Sequence, residues 1–370
     1  MRLRQLAVAA ALLPLRALPD HAEARDPSRD TLPADDGWAS YGSGTTGGSA
    51  ADPAHVLTVT TRAPGNGSDT PKIIKVAGTI DANTDDRGRR LDCADYATDG
   101  YDLTAYLAAY APRTRGAAKP AGPQEDGRQA SAAERVVLDL RDAYDCFPVR
   151  QPSPKFSASL EQGSTPSGGL GDWKTAYDNL WLSGASHVWV DHVTFGGRGH
   201  SDADWSRFAD HDKAMLIGSG DTATGDRGKL RVTLHHNEFR GVVQRAPRVR
   251  FGQVHLYNNR YLVTGDDYRY SIGVSTESAI HAEDNAFHTP GHVEAADLVK
   301  SWNGTALHQS GTLFNGYPVD LLTIHNAYSS GSERDLTADA GWTPTLHTTI
   351  DSADAADRAV ARGAGAGRHP

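Results

Sequence analysis

The chain has 370 residues, which is long enough for one large domain with a sizeable hydrophobic core. Its formal net charge of −9 argues against a general nucleic-acid or polyanion binder, although a local basic cleft remains compatible with that total. The 38 glycines and only 2 methionines suit a turn-rich β protein.

The N-terminus has the pattern of a secretory signal peptide. Two arginines precede an apolar run over residues 6–15, and Ala22-Glu23-Ala24 offers a cleavage site. The run is too short to span a membrane, and no later segment is long and apolar enough to do so. We therefore predict a signal peptide over residues 1–24, a secreted, extracellular protein, and one domain over residues 25–370.

The first part of that domain mixes strands with irregular chain. Strands are expected at 56–61, 72–76 and 136–140, and a short helix at 101–110. The stretch 111–175 is rich in Pro, Gly and charge, and is expected to be loop-rich.

Two cysteines, Cys93 and Cys146, lie in this part of the chain. In an oxidising compartment they can pair as a disulfide, and the alternative is a pair of buried thiols.

A repeat organises the second half of the chain. The strand ending at Asn237 and Phe239 recurs 22 residues later, which is too far for a tight hairpin and suits one coil of a parallel β-solenoid. The repeated asparagines are Asn237, Asn259 and Asn285, and the aromatic residues two positions later are Phe239, Tyr261 and Phe287. Asparagines in register at one bend are expected to stack into a hydrogen-bonded ladder.

An arginine-rich loop connects two of these strands. Arg245, Arg248 and Arg250 surround Pro247, and the sequence around them is VTLHHNEF followed by QRAPRVRFGQVHLYNN. This pattern, with YDNLWLSGASHVWVDHVTF at 177–195 and GWTP at 341–344, resembles the pectate lyases of polysaccharide lyase family 1. The resemblance implies an all-β fold, a right-handed single-stranded parallel β-helix. His235 and His236 are expected to point to opposite faces of their strand, which excludes a shared metal ion.

The resemblance implies cleavage of pectate (polygalacturonate) by calcium-assisted β-elimination to 4,5-unsaturated oligogalacturonates. It makes Arg245 the base, Arg250 the ligand of a substrate carboxylate and Lys213 a further substrate-binding residue. Arg248 either binds substrate or forms a surface salt bridge. Nine Lys or Arg and four acidic residues lie between His211 and Arg260, a local charge of +5, which marks either the substrate cleft or a surface patch without a ligand.

The calcium site is incomplete by the same resemblance. Asp178 matches a family calcium ligand, but the acidic strand that carries the others has no counterpart here. The candidates to replace them are Asp202, Asp204, Asp210 and Asp212. Asp191 matches a family position that we interpret as structural or as supporting the ligands.

The spacing of the strands also indicates missing coils. Phe208 follows Phe195 by 13 residues, too few for a full coil, whereas Phe195 and Phe239 are 44 apart, or two coils of 22. A similar shortage precedes Asp142. We expect one or two coils to be missing, either from the protein itself or through a truncated or misassembled gene.

The main hypothesis is a calcium-dependent pectate lyase whose partner is pectate rather than nucleic acid or membrane, acting as a monomer. The alternatives are a catalytically impaired pectate-binding β-helix, a calcium-independent pectin lyase, and a galacturonan hydrolase. The hydrolase would need a pair of carboxylates across the scissile bond, and no motif marks one.

Overall fold

A computed structural model describes residues 29–59, 73–76, 87, 89, 189–191, 194–196 and 205–365, apart from the single positions 43, 47, 219, 330 and 332. The expected signal peptide, the strand at 136–140, the helix at 101–110, the loop-rich stretch 111–175, and both cysteines lie outside these residues. The expected strands at 56–61 and 72–76 are present as β1 (Val56–Val59) and β2 (Ile73–Val76), which pair in parallel.

The rest of the described chain winds into a parallel β-solenoid of about three turns, as predicted. Its three sheets are each built from one strand per coil. The first sheet holds β3 (Thr194–Gly196), β4 (Arg207–Lys213), β7 (Glu238–Gln244), β10 (Arg260–Leu262), β13 (Ala286–His288), β16 (Leu313–Phe314) and the antiparallel β17 (Tyr317–Pro318). The arginine sheet holds β5 (Leu216–Ile217), β8 (Arg248–Val249), β11 (Ile272–Ser275) and β14 (Val299–Trp302). The third sheet holds β6 (Arg231–His235), β9 (Gln253–Tyr257), β12 (Ala279–Glu283) and β15 (Leu307–Ser310).

The core consists of columns of like residues, because parallel pairing in register places equivalent positions of successive coils above one another. In the third sheet Val254, Ile280 and Leu307 are paired in register and fully buried. In the first sheet Phe239 and Tyr261 stack at a centroid distance of 4.9 Å, and Phe208 and Phe287 extend the column at 4.9 and 4.3 Å. The residues that repeat in the sequence therefore form columns within the hydrophobic core.

The asparagine ladder is confirmed. The Asn237 amide donates to Oδ1 of Asn259 at 3.1 Å, and the Asn259 amide donates to Oδ1 of Asn285 at the same distance. Each Oδ1 also accepts a backbone N–H, at 3.0 Å, from the coil before it. All three side chains are buried, so the ladder satisfies polar groups that would otherwise be costly at this bend.

The irregular spacing before Phe239 has a structural counterpart. Phe195 pairs directly with Phe208 and Phe208 with Phe239, so two steps between neighbouring strands of the first sheet separate Phe195 from Phe239. Their lengths are not two times 22, because the first step takes 13 residues and the second 31. The first step is therefore much shorter than the 22-residue coil between Phe239 and Tyr261.

Two helices follow the last coils. The first, α1 (Leu321–Tyr328), begins at Asp320, whose carboxylate accepts the Thr323 N–H at 2.9 Å. The second, α2 (Ala353–Gly363), packs on β10 and β13, where Asp357 binds Arg260 at 2.9 Å and His288 at 2.7 Å. Of the helices that the structure describes, none has the length and apolarity that crossing a bilayer would require.

The expectation that His235 and His236 point apart is wrong. The strand β6 ends at His235, and His236 has a positive φ of 55°, so the alternation of a strand no longer applies. The two Nδ1 atoms lie 2.9 Å apart, and the His236 ring stacks on Trp205 at 4.5 Å. Both rings are therefore part of the packing at this bend.

This packing predicts a loss of stability in acid. Burial, followed by the neighbouring His235, lowers the pKa of His236 from 6.5 to about 3, although Asp36 opposes the change. A base whose pKa falls on folding stabilises the folded state fully above pH 6.5, and that contribution is lost as the pH falls towards 3. When the pH falls from 7 to about 4.5, we expect protonation of this residue in the unfolded state to lower the free energy of unfolding by roughly 2–3 kcal/mol.

Urea unfolding at both pH values measures this loss. In His236→Phe, which can keep the stack on Trp205, the difference between the two pH values should shrink by that amount. An equal difference in both proteins would refute the assignment.

Candidate active site

The arginine loop lies where the first sheet passes into the arginine sheet. The strand β7 ends at Gln244, Arg245 takes a positive φ of 59°, and the Ala246–Pro247 peptide is cis. Hydrogen bonds to neighbouring coils fix the turn, since Met215 N–H donates to the Arg245 carbonyl at 2.7 Å and Ala246 N–H donates to the Ser271 carbonyl at 2.8 Å. The three arginines are thus attached to backbone that is held from both sides.

Arg245 is half-buried beside Tyr270. Its Nε is buried and has no hydrogen-bond acceptor among the described residues, while its side chain is hydrogen-bonded to Tyr270. Burial raises the pKa of the Tyr270 phenol, and the nearby charges of Arg245 and Arg248 offset this only in part. The guanidinium therefore has a protonated phenol and two further arginines as neighbours.

Arg248 is held by two residues from later coils. Its Nε donates to Ser275 Oγ at 2.9 Å, and its guanidinium lies 4.3 Å from the centre of the Trp302 ring. Partial burial lowers the pKa of Arg248, and the like charges of Arg250 and Arg245 lower it further. Within the described residues Arg248 makes no salt bridge, so that alternative for its role finds no partner there.

Arg250 is held on its Nε side. Nε donates to Asp221 Oδ1 at 2.6 Å, and Nη1 donates to the Gly218 carbonyl at 3.2 Å. The Arg250 hydrogen bond lowers the pKa of the Asp221 carboxyl. Gly218 has a φ of +84°, and a Cβ there would lie 2.6 Å from the Arg250 carbonyl oxygen, so this approach requires glycine.

Lys213 lies one coil before the arginine loop and is paired in register with Gln244. It forms an ion pair with its neighbour Asp212, and Asp212 also accepts a hydrogen bond from Gln244 at 2.9 Å. Burial alone would raise the pKa of Asp212, but the contacts with Lys213 and Gln244 and the charge of Arg269 hold it below its usual value. The structure thus places Lys213 in the coil directly before the one that carries Arg245, Arg248 and Arg250.

The predicted calcium ligands are only partly described. Asp178, Asp202 and Asp204 lie outside the described residues. Asp210 is exposed with a positive φ of 53°, and Asp212 is engaged by Lys213 and Gln244. Because the described part of the chain holds no group of three suitable ligands, its residues do not by themselves fit a calcium ion. Asp191 is half-buried, and its structural role stays a prediction.

Several residues of this site were not found from the sequence. Ser275 and Trp302 hold Arg248, Asp221 holds Arg250, and Tyr270 contacts Arg245. A weak signal existed, because Gly273 and Lys300 follow Arg248 in register at steps of 25 and 27 residues. Counting coils at that period would have placed Trp302 beside the arginine sheet.

Comparisons with known proteins agree on one family. A family model described as pectate lyase matches residues 203–368. The pectate lyase of Bacillus subtilis (strain 168) is 35% identical over 441 aligned positions, which cover 99% of this chain and 100% of that protein. A solved structure of a pectate lyase bound to a hexasaccharide superposes with a TM-score of 0.69 and 31% identity, covering 94% of this chain and 100% of the other. Another, which concerns substrate specificity and the anti β-elimination mechanism of pectate lyase, gives a TM-score of 0.69 and 32% identity over the same shares.

The length of the alignment bears on the missing coils. Its 441 positions exceed the 370 residues of this chain by 71, so at least that many positions have no residue of this chain opposite them. Relative to that pectate lyase, the chain therefore has deletions that amount to at least 71 positions.

Proposed function

The chain belongs to the pectate lyase family, and from that premise we propose that it cleaves polygalacturonate by β-elimination, with Arg245 as the base. The observation that carries this proposal is the arginine loop. Three guanidinium groups and Lys213 lie on adjacent coils, and Arg245 keeps a buried Nε without an acceptor among the described residues. Such a site suits a polyanion whose reacting carbon lies next to a carboxylate.

The proposed reaction gives each of these groups a role. Arg250 and Lys213 bind carboxylates of the polygalacturonate and place one galacturonate with its C5 towards Arg245. Arg245, acting as the neutral guanidine, takes the C5 proton and becomes the guanidinium, the C5–H electron pair forms the C4–C5 double bond, and the C4–O bond breaks. The glycosidic oxygen leaves with that bond pair and gains a proton from water. The surrounding positive charge stabilises the negative charge that develops next to the C5 carboxylate.

We further propose that the enzyme uses calcium, as its family does. The ligand set would draw on Asp178, Asp202, Asp204, Asp210 and Asp212. When bound, the ion would neutralise substrate carboxylates and so acidify the C5 proton.

Ultraviolet absorbance of polygalacturonate incubated with the purified protein tests both proposals. We expect a rise from the 4,5-unsaturated product with calcium and its loss with a chelator. A rise that survives the chelator would contradict the calcium proposal and identify a calcium-independent lyase. Reducing ends without unsaturated product would indicate hydrolysis and contradict the lyase.

A second candidate is a pectate-binding protein without turnover. The observation that favours it is the lack of a complete calcium-ligand group among the described residues. In addition, at least 71 positions of the alignment with the Bacillus subtilis pectate lyase have no residue of this chain opposite them. Binding of polygalacturonate by a folded protein that forms no product would identify this case.

We also propose that the protein is exported, with residues 1–24 removed, and acts as a monomer on the polysaccharide. The charged and apolar pattern at the N-terminus supports export. The mass of the protein recovered from the medium and its sedimentation behaviour test these two statements.

A further inference from the structure

The two arginines on the arginine sheet share one mode of attachment. In both, Nε donates a hydrogen bond to an oxygen of another side chain. The acceptor is Ser275 for Arg248 and Asp221 for Arg250. Neither terminal nitrogen of Arg248 has a hydrogen-bond partner among the described residues, and the same holds for Nη2 of Arg250. A guanidinium held at Nε presents its terminal edge, and that edge can bind a carboxylate through two parallel hydrogen bonds.

Arg248 differs from Arg250 in what holds it. Arg250 has the anionic partner Asp221, whereas the two residues in direct contact with Arg248 are uncharged, the hydroxyl of Ser275 and the face of the Trp302 ring. Trp302 is in turn packed against Tyr270, with ring centres 5.0 Å apart. One face of the guanidinium is thus covered by an aromatic ring that is itself fixed.

Two further features fix this arrangement. Ser275 is fully buried and pairs in register with Trp302, so both contacts of Arg248 come from the ends of neighbouring strands. Gly273 lies opposite Arg248, and a Cβ there would come within 3.0 Å of both the Arg248 side chain and the Tyr270 ring. The absence of a side chain at this point lets the arginine lie flat against the later coils.

Arg248 and Arg250 are two residues apart, so extended backbone between them places both on the same side of the arginine sheet. A polymer with a carboxylate on every sugar can therefore engage both arginines at once. We propose that Trp302 and Ser275 are positioning residues for Arg248, and that Arg248 held in this way binds the carboxylate of a uronate next to the one bound by Arg250. This inference rests on the proposed function.

Steady-state kinetics on polygalacturonate test the inference with the variants Trp302→Leu, Trp302→Phe and Ser275→Ala. We expect Trp302→Leu to raise KM roughly fivefold to tenfold with kcat within about twofold, because a binding contact is lost. Trp302→Phe keeps an aromatic face and should restore most of the affinity. Tyr317→Leu removes an aromatic residue that is 75% exposed on the terminal hairpin, and should leave KM unchanged.

A double-mutant cycle separates positioning from a general structural role. In an Arg248→Met background, Trp302→Leu should have no further effect on KM, because it acts through Arg248. The same rise in KM with and without Arg248, or no rise in any variant, would overturn the inference. If Trp302→Leu does not fold, Ser275→Ala and Trp302→Phe in the same cycle decide the question.

If the wild-type protein forms no unsaturated product, the proposed function fails, but the subsite is still testable. Equilibrium binding of polygalacturonate to the same variants then replaces KM. Weaker binding by Trp302→Leu only when Arg248 is present supports the subsite, and unchanged binding overturns it.

Discussion

Substitution of Arg245 by lysine is expected to lower the rate of unsaturated-product formation roughly 10²–10⁴-fold, the range typical for loss of a positioned general base. Lysine keeps the positive charge, but its ammonium cannot reproduce both the hydrogen bond to Tyr270 and the buried Nε of the guanidinium. The backbone at position 245 has a positive φ that lysine adopts as readily as arginine, so the fold should survive. The initial rate of the rise in ultraviolet absorbance measures the effect.

Arg240→Lys is the matched control for this substitution. Arg240 lies on the same strand, β7, but is exposed and outside the arginine loop. Its replacement should leave the rate within about twofold, since surface substitutions rarely perturb a site. Equal losses in the two variants, or an Arg245→Lys enzyme that keeps most of its rate, would show that Arg245 is not the base.

The features predicted from the sequence are those that repeat at the coil period. Asn237, Asn259 and Asn285 recur at 22 and 26 residues, and parallel pairing converts that spacing directly into a buried ladder. The arginine loop and Lys213 were found because their local motifs are specific. Their proximity was not predicted, because Lys213 pairs with Gln244 across a step of 31 residues rather than 22.

The contacts that hold the arginines were not predicted, because they depend on connections of unequal length. The steps along the arginine sheet from Arg248 are 25 and 27 residues, so the 22-residue period identified in the sequence does not lead from Arg248 to Trp302. His236 was misplaced for a different reason. A strand pattern does not show where a strand ends, and one left-handed residue turned the two imidazoles towards each other.

The ion pairs around Glu238 predict the largest effect on stability. Glu238 is buried in β7 between Arg207 of β4 and Arg260 of β10, each with a nitrogen 2.8 Å from a carboxylate oxygen. Glu238→Gln keeps the shape of the side chain and removes its charge, so both guanidinium groups lose their shared counter-charge. We expect a loss of about 2–4 kcal/mol in the free energy of unfolding. This is about 1 kcal/mol less than the cost of removing one partner from a fully buried ion pair. The discount reflects arginine side chains that are 21% and 18% exposed, and Arg260 also keeps Asp357 of α2.

Glu277→Gln provides the contrast, because Glu277 also pairs with an arginine, Arg227, but both side chains are about half exposed (47% and 56%). Water screens that pair, so its removal should leave the urea midpoint nearly unchanged. Since Glu238 connects strands of three consecutive coils, its loss should also expose the amides of β4 and β10 to hydrogen exchange before global unfolding. Similar midpoints for the two variants would mean that the charge on Glu238 is offset by its desolvation cost. The backbone pairing, the asparagine ladder and the buried columns would then hold these coils together without a contribution from this charge.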